Sequence, residues 1–384
     1  MRRTSIFVGS AFVAQYPEGG GNFWVPLQYL LGLRALGVDA YWIELLWTQG
    51  SEARDRDCVE AFLAHCAMLG VCDRVILLHA TKGTPPQAPE RIVWHGMPER
   101  ALRARARDGV LLNLADSIGP WLRAAFGRTV LVDLDPGLFQ IWAREYDLGV
   151  GTHDVHVTIG RNLGTPDCRV PGDGVGWRAV WPPVHVAAWA DSGPPGASYT
   201  TVTQWWSREY AFLDGEAFDC NKRSSFIDMA ELPVRVPVPC ELAANITPGE
   251  TEDQELLRRH RWRLADPGRV AGTPMAYRRY VQSSRGEFSC AKPGYVKARP
   301  GFISDRTLCY LASGRPCVVQ STGAESWLPE SRGLRFFRTL DEAVDGLCEI
   351  EADYAAAARA ARTLAHEVFD TRVTIPALLR AAGD

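Results

Sequence analysis

The chain is 384 residues long and contains no apolar run near the ~18 uninterrupted residues that cross a bilayer. Neither sign of charge is in excess. The 42 Lys and Arg against 45 Asp and Glu leave a formal charge of −3, which gives no electrostatic case for nucleic acid or an anionic membrane. Ten cysteines are present, but none forms a Cys-x-x-Cys pair and no histidine spacing accompanies them. A zinc site and a disulfide framework are therefore disfavoured, and reduced thiols in a cytoplasmic protein are expected. The glycine turn near the start, Gly19-Gly20-Gly21, lacks G-x-G-x-x-G spacing and no Lys-Ser/Thr follows it, so dinucleotide and P-loop readings are weak. There is no internal repeat, and no low-complexity tract beyond the alanine-rich Ala355–Ala361. The basic opening MRRTSIFVGSAFVAQ runs directly into that glycine turn and reads as a first buried strand, not a cleaved leader.

What is present is alternation. Short apolar runs at 5–8, 40–46, 75–79, 110–114 and 129–134 are separated by helical patterns at 24–36 and 53–69, as in βαβ units around a parallel sheet. The first helix stops at Gly37, a C-cap residue. Residues 80–108 are readable only coarsely. The double Pro-Pro segment 182–197 is the best linker candidate. Beyond it a second alternation predicts strands at 200–203, 224–228, 238–242, 280–283, 317–320 and 334–337, then a helix near Leu340. A long C-terminal helical region breaks around 369–374.

The most informative stretch is Gly286 to Gly323, GEFSCAKPGYVKARPGFISDRTLCYLASGRPCVVQSTG. Ser304 stands at an N-cap position before a helix with a Leu308, Leu311, Ala312 face. A helix start facing a cleft offers free N–H groups and the positive end of a dipole, a basis for binding phosphate. Lys292 and Arg306 are candidate cations, and Asp305 and Glu287 are candidate acceptors for ribose hydroxyls. Each has a bland alternative: Ser304 and Asp305 as a helix cap, Lys292 as a solvated surface lysine.

In the first half, Asp133-Leu134-Asp135-Pro136-Gly137 ends an apolar strand. Open parallel sheets bind ligands at the carboxyl ends of their strands, and alternation places Asp133 and Asp135 on one face. Asp135 is a candidate general base, although a turn at Asp135-Pro136 explains it nearly as well. The Gly19-Gly20-Gly21-Asn22 turn allows backbone to approach a ligand closely, or serves as a tight turn needing positive φ. Asn162, after a strand within 153–160, is expected at the cleft. Tryptophans 177, 181, 189, 205 and 206 have core packing as the default.

These residues resemble the GT-B glycosyltransferases. Ala312-Ser313-Gly314-Arg315-Pro316-Cys317-Val318 is similar to the A-S-G-x-P-V-V string of their donor-binding unit. The longer pattern G-E-F-S-x-A-K-x-G-Y-V, S-D-R-x-x-C-Y-L-A-S-G-R-P and Q-x-T-G resembles a bacterial branch often tied to specialised metabolism. The resemblance spans nearly the whole chain, most specifically 284–345. It implies two Rossmann-like α/β/α domains facing each other across a cleft. Residues 1–185 would bind the acceptor and 186–365 the nucleotide sugar, with a helix in 366–384 crossing back to the first domain. It further implies a metal-independent hexosyl transfer to a small-molecule acceptor, with no cofactor beyond the nucleotide sugar and no nucleic-acid or membrane partner. Gly286, Glu287, Phe288, Lys292, Ser304, Asp305 and Arg306 would bind the donor. Gly19, Gly20, Gly21, Asn22, Asp133 and Asn162 would line the cleft, with Asp135 and Glu18 as the catalytic candidates. No D-x-D motif of metal-dependent transferases appears in a loop, since Asp133-Leu134-Asp135 follows a buried strand, which suits the metal independence the resemblance implies. One departure matters. The ribose-holding glutamate of many retaining members is replaced by Cys309, so Asp305, one turn earlier, is the expected ribose contact. The rival readings are a sugar-nucleotide epimerase on the same fold and a non-catalytic nucleotide-sugar-binding protein; a dehydrogenase is a weak third.

Overall fold

The structure, a computed structural model, describes residues 4–82, 88–190, 192–207 and 210–383. The first half builds an eight-stranded sheet from β1 (Ile6–Ser10), β2 (Ala40–Trp47), β3 (Val75–Lys82), β4 (Arg91–His95), β5 (Val110–Leu114), β6 (Arg128–Asp133), β7 (Val155–Thr158) and β8 (Arg178–Ala179). Its order is β4-β3-β2-β1-β5-β6-β7-β8. The chain steps outward from β1 to β3, then returns to the other side of β1. Only β4, at the edge, runs antiparallel to its neighbour. Every residue of β1 is buried, as are the first seven of β2. That is the pattern of parallel strands covered on both faces, and it explains why they read as continuous apolar runs.

The second half contains β9 (Tyr199–Thr203), β10 (Tyr210–Leu213), β11 (Glu216–Asp219), β12 (Cys240–Ala244), β13 (Arg263–Ala265), β14 (Gly286–Ser289), β15 (Cys317–Gln320) and β16 (Leu334–Phe337). Strands β10 and β11 pair as a separate antiparallel hairpin. The others form a parallel sheet ordered β13-β12-β9-β14-β15-β16. This is the doubly wound order, with the switch point between β9 and β14.

Two expected strands are helices. Residues 224–228 lie in the helix Lys222–Asp228, and 280–283 end the helix Pro274–Ser283. Thr273 caps the latter by accepting from the Ala276 N–H, Pro274 opens it, and the buried Pro274, Tyr277 and Val281 share one face. Each segment carries one adjacent apolar pair, Phe226-Ile227 or Tyr280-Val281, and so short a run does not distinguish a strand from a buried helical turn. The central strand β14 was in turn not anticipated as a strand.

The two halves meet over a continuous apolar core that includes Trp24 and Tyr29 from the first and Tyr277, Leu308 and Leu311 from the second. The C-terminal region runs from helix Tyr354–Leu364 through a π-helical turn, Ala365–Phe369, into helix Thr371–Ala382. Asp370 starts this last helix by accepting from the Arg372 N–H at 2.9 Å. The helix packs on helix Gly20–Ala35 so closely that a Cβ on Gly32 would lie 2.6 Å from the Thr371 side chain. Arg128 reaches its end, donating to the Ala382 carbonyl at 3.1 Å.

Candidate active site

Between the two sheets lies a cavity of about 250 Å³. One wall belongs to the first half: Phe12, Trp24, Val25, Leu134, Ile159 and the Pro182-Pro183 pair, with Gln28, Tyr29 and Asp135 as its polar members. The other wall is polar and cationic, with Lys222, Lys292, Ser304 and Asp305 beside Tyr295, Phe302 and Cys309. A smaller hollow of about 60 Å³ shares Lys222, Tyr295, Phe302 and Ser304 and extends past Ser289 and Gln320, at the carboxyl ends of β14 and β15. A larger, shallower groove of about 760 Å³ lies at the far end of helix Asp305–Ala312, against Ser313 and Gly314. There Arg315 and Arg362 are committed to backbone carbonyls.

Helix Asp305–Ala312 begins inside the cavity. Ser304 has the extended backbone of an N-cap, but its hydroxyl makes no capping bond; the Asp305 carboxylate lies against the first-turn N–H groups of Asp305 and Arg306. Lys292 holds the equivalent position before helix Pro293–Ala298. Its Nζ lies 3.5 Å from Asp135 Oδ1, and the Tyr295 hydroxyl donates to the same oxygen. Asp135 thus reaches from the first sheet to the second, with its side chain 45% exposed toward the cavity. Lys222 was missed by the sequence reading. It starts helix Lys222–Asp228, and burial together with Arg306 and Lys292 pulls its ammonium down to about 7.

Other expected site residues serve the architecture. Arg306 donates to Glu287 at 2.6 Å, to the Val202 carbonyl at 3.1 Å and to Ser289. Burial opposes the Arg306 charge, but the adjacent Glu287 carboxylate holds its pKa above the ordinary value. Glu287 is fully buried and this pair anchors β14 to the helix; Glu287 lines neither hollow, whereas Arg306 borders the smaller one. Phe288 stacks on Phe337 at 5.2 Å within the second core. A Cβ on Gly286 would meet the Pro316 carbonyl at 2.4 Å, so glycine is required there by sheet packing.

In the first half, Asp133 is fully buried and raised to about 7 by burial. It accepts from Gln140, Thr158 and the Asp135 N–H, and so shapes the turn that presents Asp135. Glu18 is exposed, paired with Arg54 at 3.0 Å, and does not reach the cavity. Asn22 is also exposed. The glycine turn has no positive φ; it is a seam between the halves. A Cβ on Gly20 would lie 2.2 Å from the Thr273 carbonyl oxygen, and one on Gly21 would lie 3.1 Å from the Tyr277 ring. Asn162 forms a second seam. It is fully buried, donating to the Arg299 and Gly323 carbonyls and accepting from Trp327 Nε1.

A buried carboxylate that the sequence did not reveal shapes the loop carrying Phe12. Glu44, raised to about 7 by burial, accepts the Val13 and Ala14 N–H groups at 2.8 and 2.9 Å.

No protein-family model and no curated protein sequence matches the chain. Solved structures do. Anabaena Alr3699/HepE in complex with UDP is 10% identical, with a TM-score of 0.55 over 99% of this chain and 98% of that one. Sucrose-phosphate synthase (tll1590) from Thermosynechococcus elongatus is 12% identical, with a TM-score of 0.56 over 98% and 97%. S. aureus TarM, in complex with Fondaparinux, alpha-GlcNAc-glycerol and UDP, is 8% identical, with a TM-score of 0.62 over 99% and 100%. With these neighbours and the two sheet orders above, the chain has the GT-B fold, two Rossmann-like domains facing across a cleft.

Proposed function

We propose that the protein transfers a hexosyl group from a nucleoside-diphosphate sugar to a hydroxyl of a small-molecule acceptor. The observation that carries this reading is the grouping of Lys222 and Lys292 around a helix start in one cavity. Two ammonium groups beside a helix N-terminus on one wall complement a diphosphate, and positive charge placed where negative charge develops stabilises a leaving group. Because this chain's own residues offer that charge, we read the transfer as metal-independent. Residues 186–365 would hold the donor and residues 1–185 the acceptor. The bond between the anomeric carbon and the diphosphate oxygen breaks, and one to the acceptor oxygen forms. Asp135 takes the acceptor proton, and the diphosphate leaves against the lysines.

The acceptor wall is apolar apart from a few groups, which suits a small organic molecule. The net charge of −3 argues against a nucleic-acid acceptor. We further read the reaction as one of bacterial specialised metabolism in the cytoplasm, a reading supported by the resemblance in the Gly286–Gly323 stretch. A thermal-shift screen against nucleoside diphosphates and their sugars, paired with Lys292→Ala, tests the reading. A ligand that binds only the folded state raises its melting temperature. Lys292→Ala is expected to fold and to lose transfer; full activity in that variant would sink the assignment. Tight donor binding without turnover across a broad acceptor panel would favour a binding protein, and epimer formed from donor alone would favour an epimerase.

A further inference from the structure

One polar group in the cavity has nothing to do in the empty protein. Tyr29, on helix Gly20–Ala35, is 2% exposed and lines the cavity, yet its hydroxyl has no hydrogen-bond partner. A buried hydroxyl without a partner is disfavoured, and such groups in native proteins call for a reason. Its neighbours do not supply one. Gln28 already accepts from the His185 N–H at 2.7 Å and turns its amide toward Cys309 Sγ at 3.8 Å. Cys309 presents a thiol where the related enzymes carry a carboxylate, and burial keeps that thiol protonated.

The group that complements Tyr29 is Asp305. It lines the same cavity and forms no ion pair among the described residues; its carboxylate faces the Ser304 hydroxyl at 3.5 Å and lies against the N–H groups of Asp305 and Arg306, within the field of the Arg306 and Lys222 charges. It is near enough for its charge to reinforce the effect of burial, which pushes the Tyr29 phenol well above its ordinary range. Tyr29 is therefore a neutral donor at any physiological pH. A phenolic O–H without a partner and a carboxylate whose two oxygens accept more bonds than its own helix start supplies are the two halves of a site for a ligand hydroxyl or a vicinal pair: one oxygen accepts from Tyr29 and one O–H donates to Asp305.

We propose that Tyr29 and Asp305 form a sugar-hydroxyl subsite that spans the two domains, taking hydroxyls of either the donor's ribose or the transferred hexose. The proposal rests on the nucleotide-sugar reading of the cavity and adds a specificity-determining residue from the domain that would otherwise serve only the acceptor. It also supplies a reader of ring hydroxyls that does not depend on position 309. A site built to bond a hydroxyl discriminates strongly against ligands lacking it, because its own buried polar groups are then left unpaired.

The test is Tyr29→Phe, which removes one oxygen and keeps the ring. Wild type and variant are titrated calorimetrically with UDP, GDP and ADP, and then with the glucose conjugate and the 2′-deoxy form of whichever binds. The expected result is a loss of about 10- to 100-fold. Loss on the conjugate alone assigns the subsite to the hexose. Loss on the parent diphosphate, matched by equal weakening of the 2′-deoxy ligand on wild type, assigns it to ribose. Since no protein partner is removed, Tyr29→Phe is expected to melt at the wild-type temperature or above it. Unchanged affinity for every ligand, or a lowered melting temperature, overturns the subsite and leaves the cavity reading intact. Failure of wild type to bind any nucleoside diphosphate overturns both.

Discussion

Lys222 makes the sharpest test of the cavity, because the structure ties its charge to the occupancy of the site. In the empty protein, burial and the nearby Arg306 and Lys292 bring its pKa from 10.5 to about 7. A diphosphate beside it reverses the balance of charge and raises that pKa, so the ligand binds the protonated form in preference. Donor affinity is then highest below pH 7. It falls by up to about tenfold per pH unit above 7 until the pKa of the complex is reached. The donor must be a nucleotide sugar for this measurement, since its diphosphate lacks the terminal ionisation near 6 of a phosphate monoester. Lys222→Met keeps the length of the side chain and removes the charge. It is expected to weaken donor binding at pH 6.5 by about 1.5–3 kcal/mol, the range for a hydrogen bond to a charged group, and to flatten the pH slope. Stability moves the opposite way. The unfolded chain holds the Lys222 proton up to about 10.4, while the folded chain releases it near 7. Between those values the unfolded state binds more protons, so stability rises with pH, and the penalty is full below 7. Its ceiling is about 5 kcal/mol; partial exposure of the ammonium reduces this, and we expect Lys222→Met to stabilise the empty protein at pH 6.5 by about 1–2 kcal/mol. Calorimetric titration and chemical denaturation at pH 6.5 and 8.5 read both effects. A wild-type affinity that does not change with pH, or a Lys222→Met variant that keeps the slope, refutes the reasoning.

Two further substitutions separate chemistry from architecture. Asp135→Asn removes the carboxylate that lies 3.5 Å from Lys292 in the empty cavity; nucleoside-diphosphate affinity should rise a few-fold while transfer falls by about 10²–10⁴, the range for a lost general base. If affinity and turnover fall together, Asp135 is a donor ligand and not the base. Gly20→Ala forces a methyl to within 2.2 Å of the Thr273 carbonyl and should cost about 1–3 kcal/mol by overpacking. Unchanged denaturant midpoints would show that the seam between the domains yields without cost.

How legible this was in the sequence depends on how far apart the cooperating residues lie. Strands β5, β15 and β16 were readable to the residue, because a four- or five-residue apolar run between turn signals is a local property. The glycine turn was readable as a place that demands glycine, but not the reason, since Thr273 lies some 250 residues later and spacing carries no trace of it. Glu287 looked like a ligand residue because a carboxylate between a strand and Phe288 is anomalous on its own. Its explanation is Arg306, nineteen positions on, which neutralises it in the core. Lys222 was hidden twice: the β10–β11 hairpin separates it from β9, and the apolar residues after it read as a strand.

The pair Asp133 and Asp135 shows what gives two neighbouring carboxylates different roles. Strand alternation assigns both carboxylates to one face, with Asp135 the expected base and Asp133 an expected cleft residue. The strand ends at Asp133, however, and the Asp135 N–H bends back to donate to the Asp133 carboxylate at 2.9 Å. One aspartate is thereby spent as the acceptor that closes the turn, its remaining capacity filled by Gln140 and Thr158. The other is turned out of the sheet toward Lys292 and Tyr295. The pKa shift does not identify the working group here. Asp133 is raised to about 7, a value suited to a general base, but with no exposed atom it has no path to an acceptor. In the proposed reaction access therefore favours Asp135 as the base, and the buried neighbour shapes the turn that presents it.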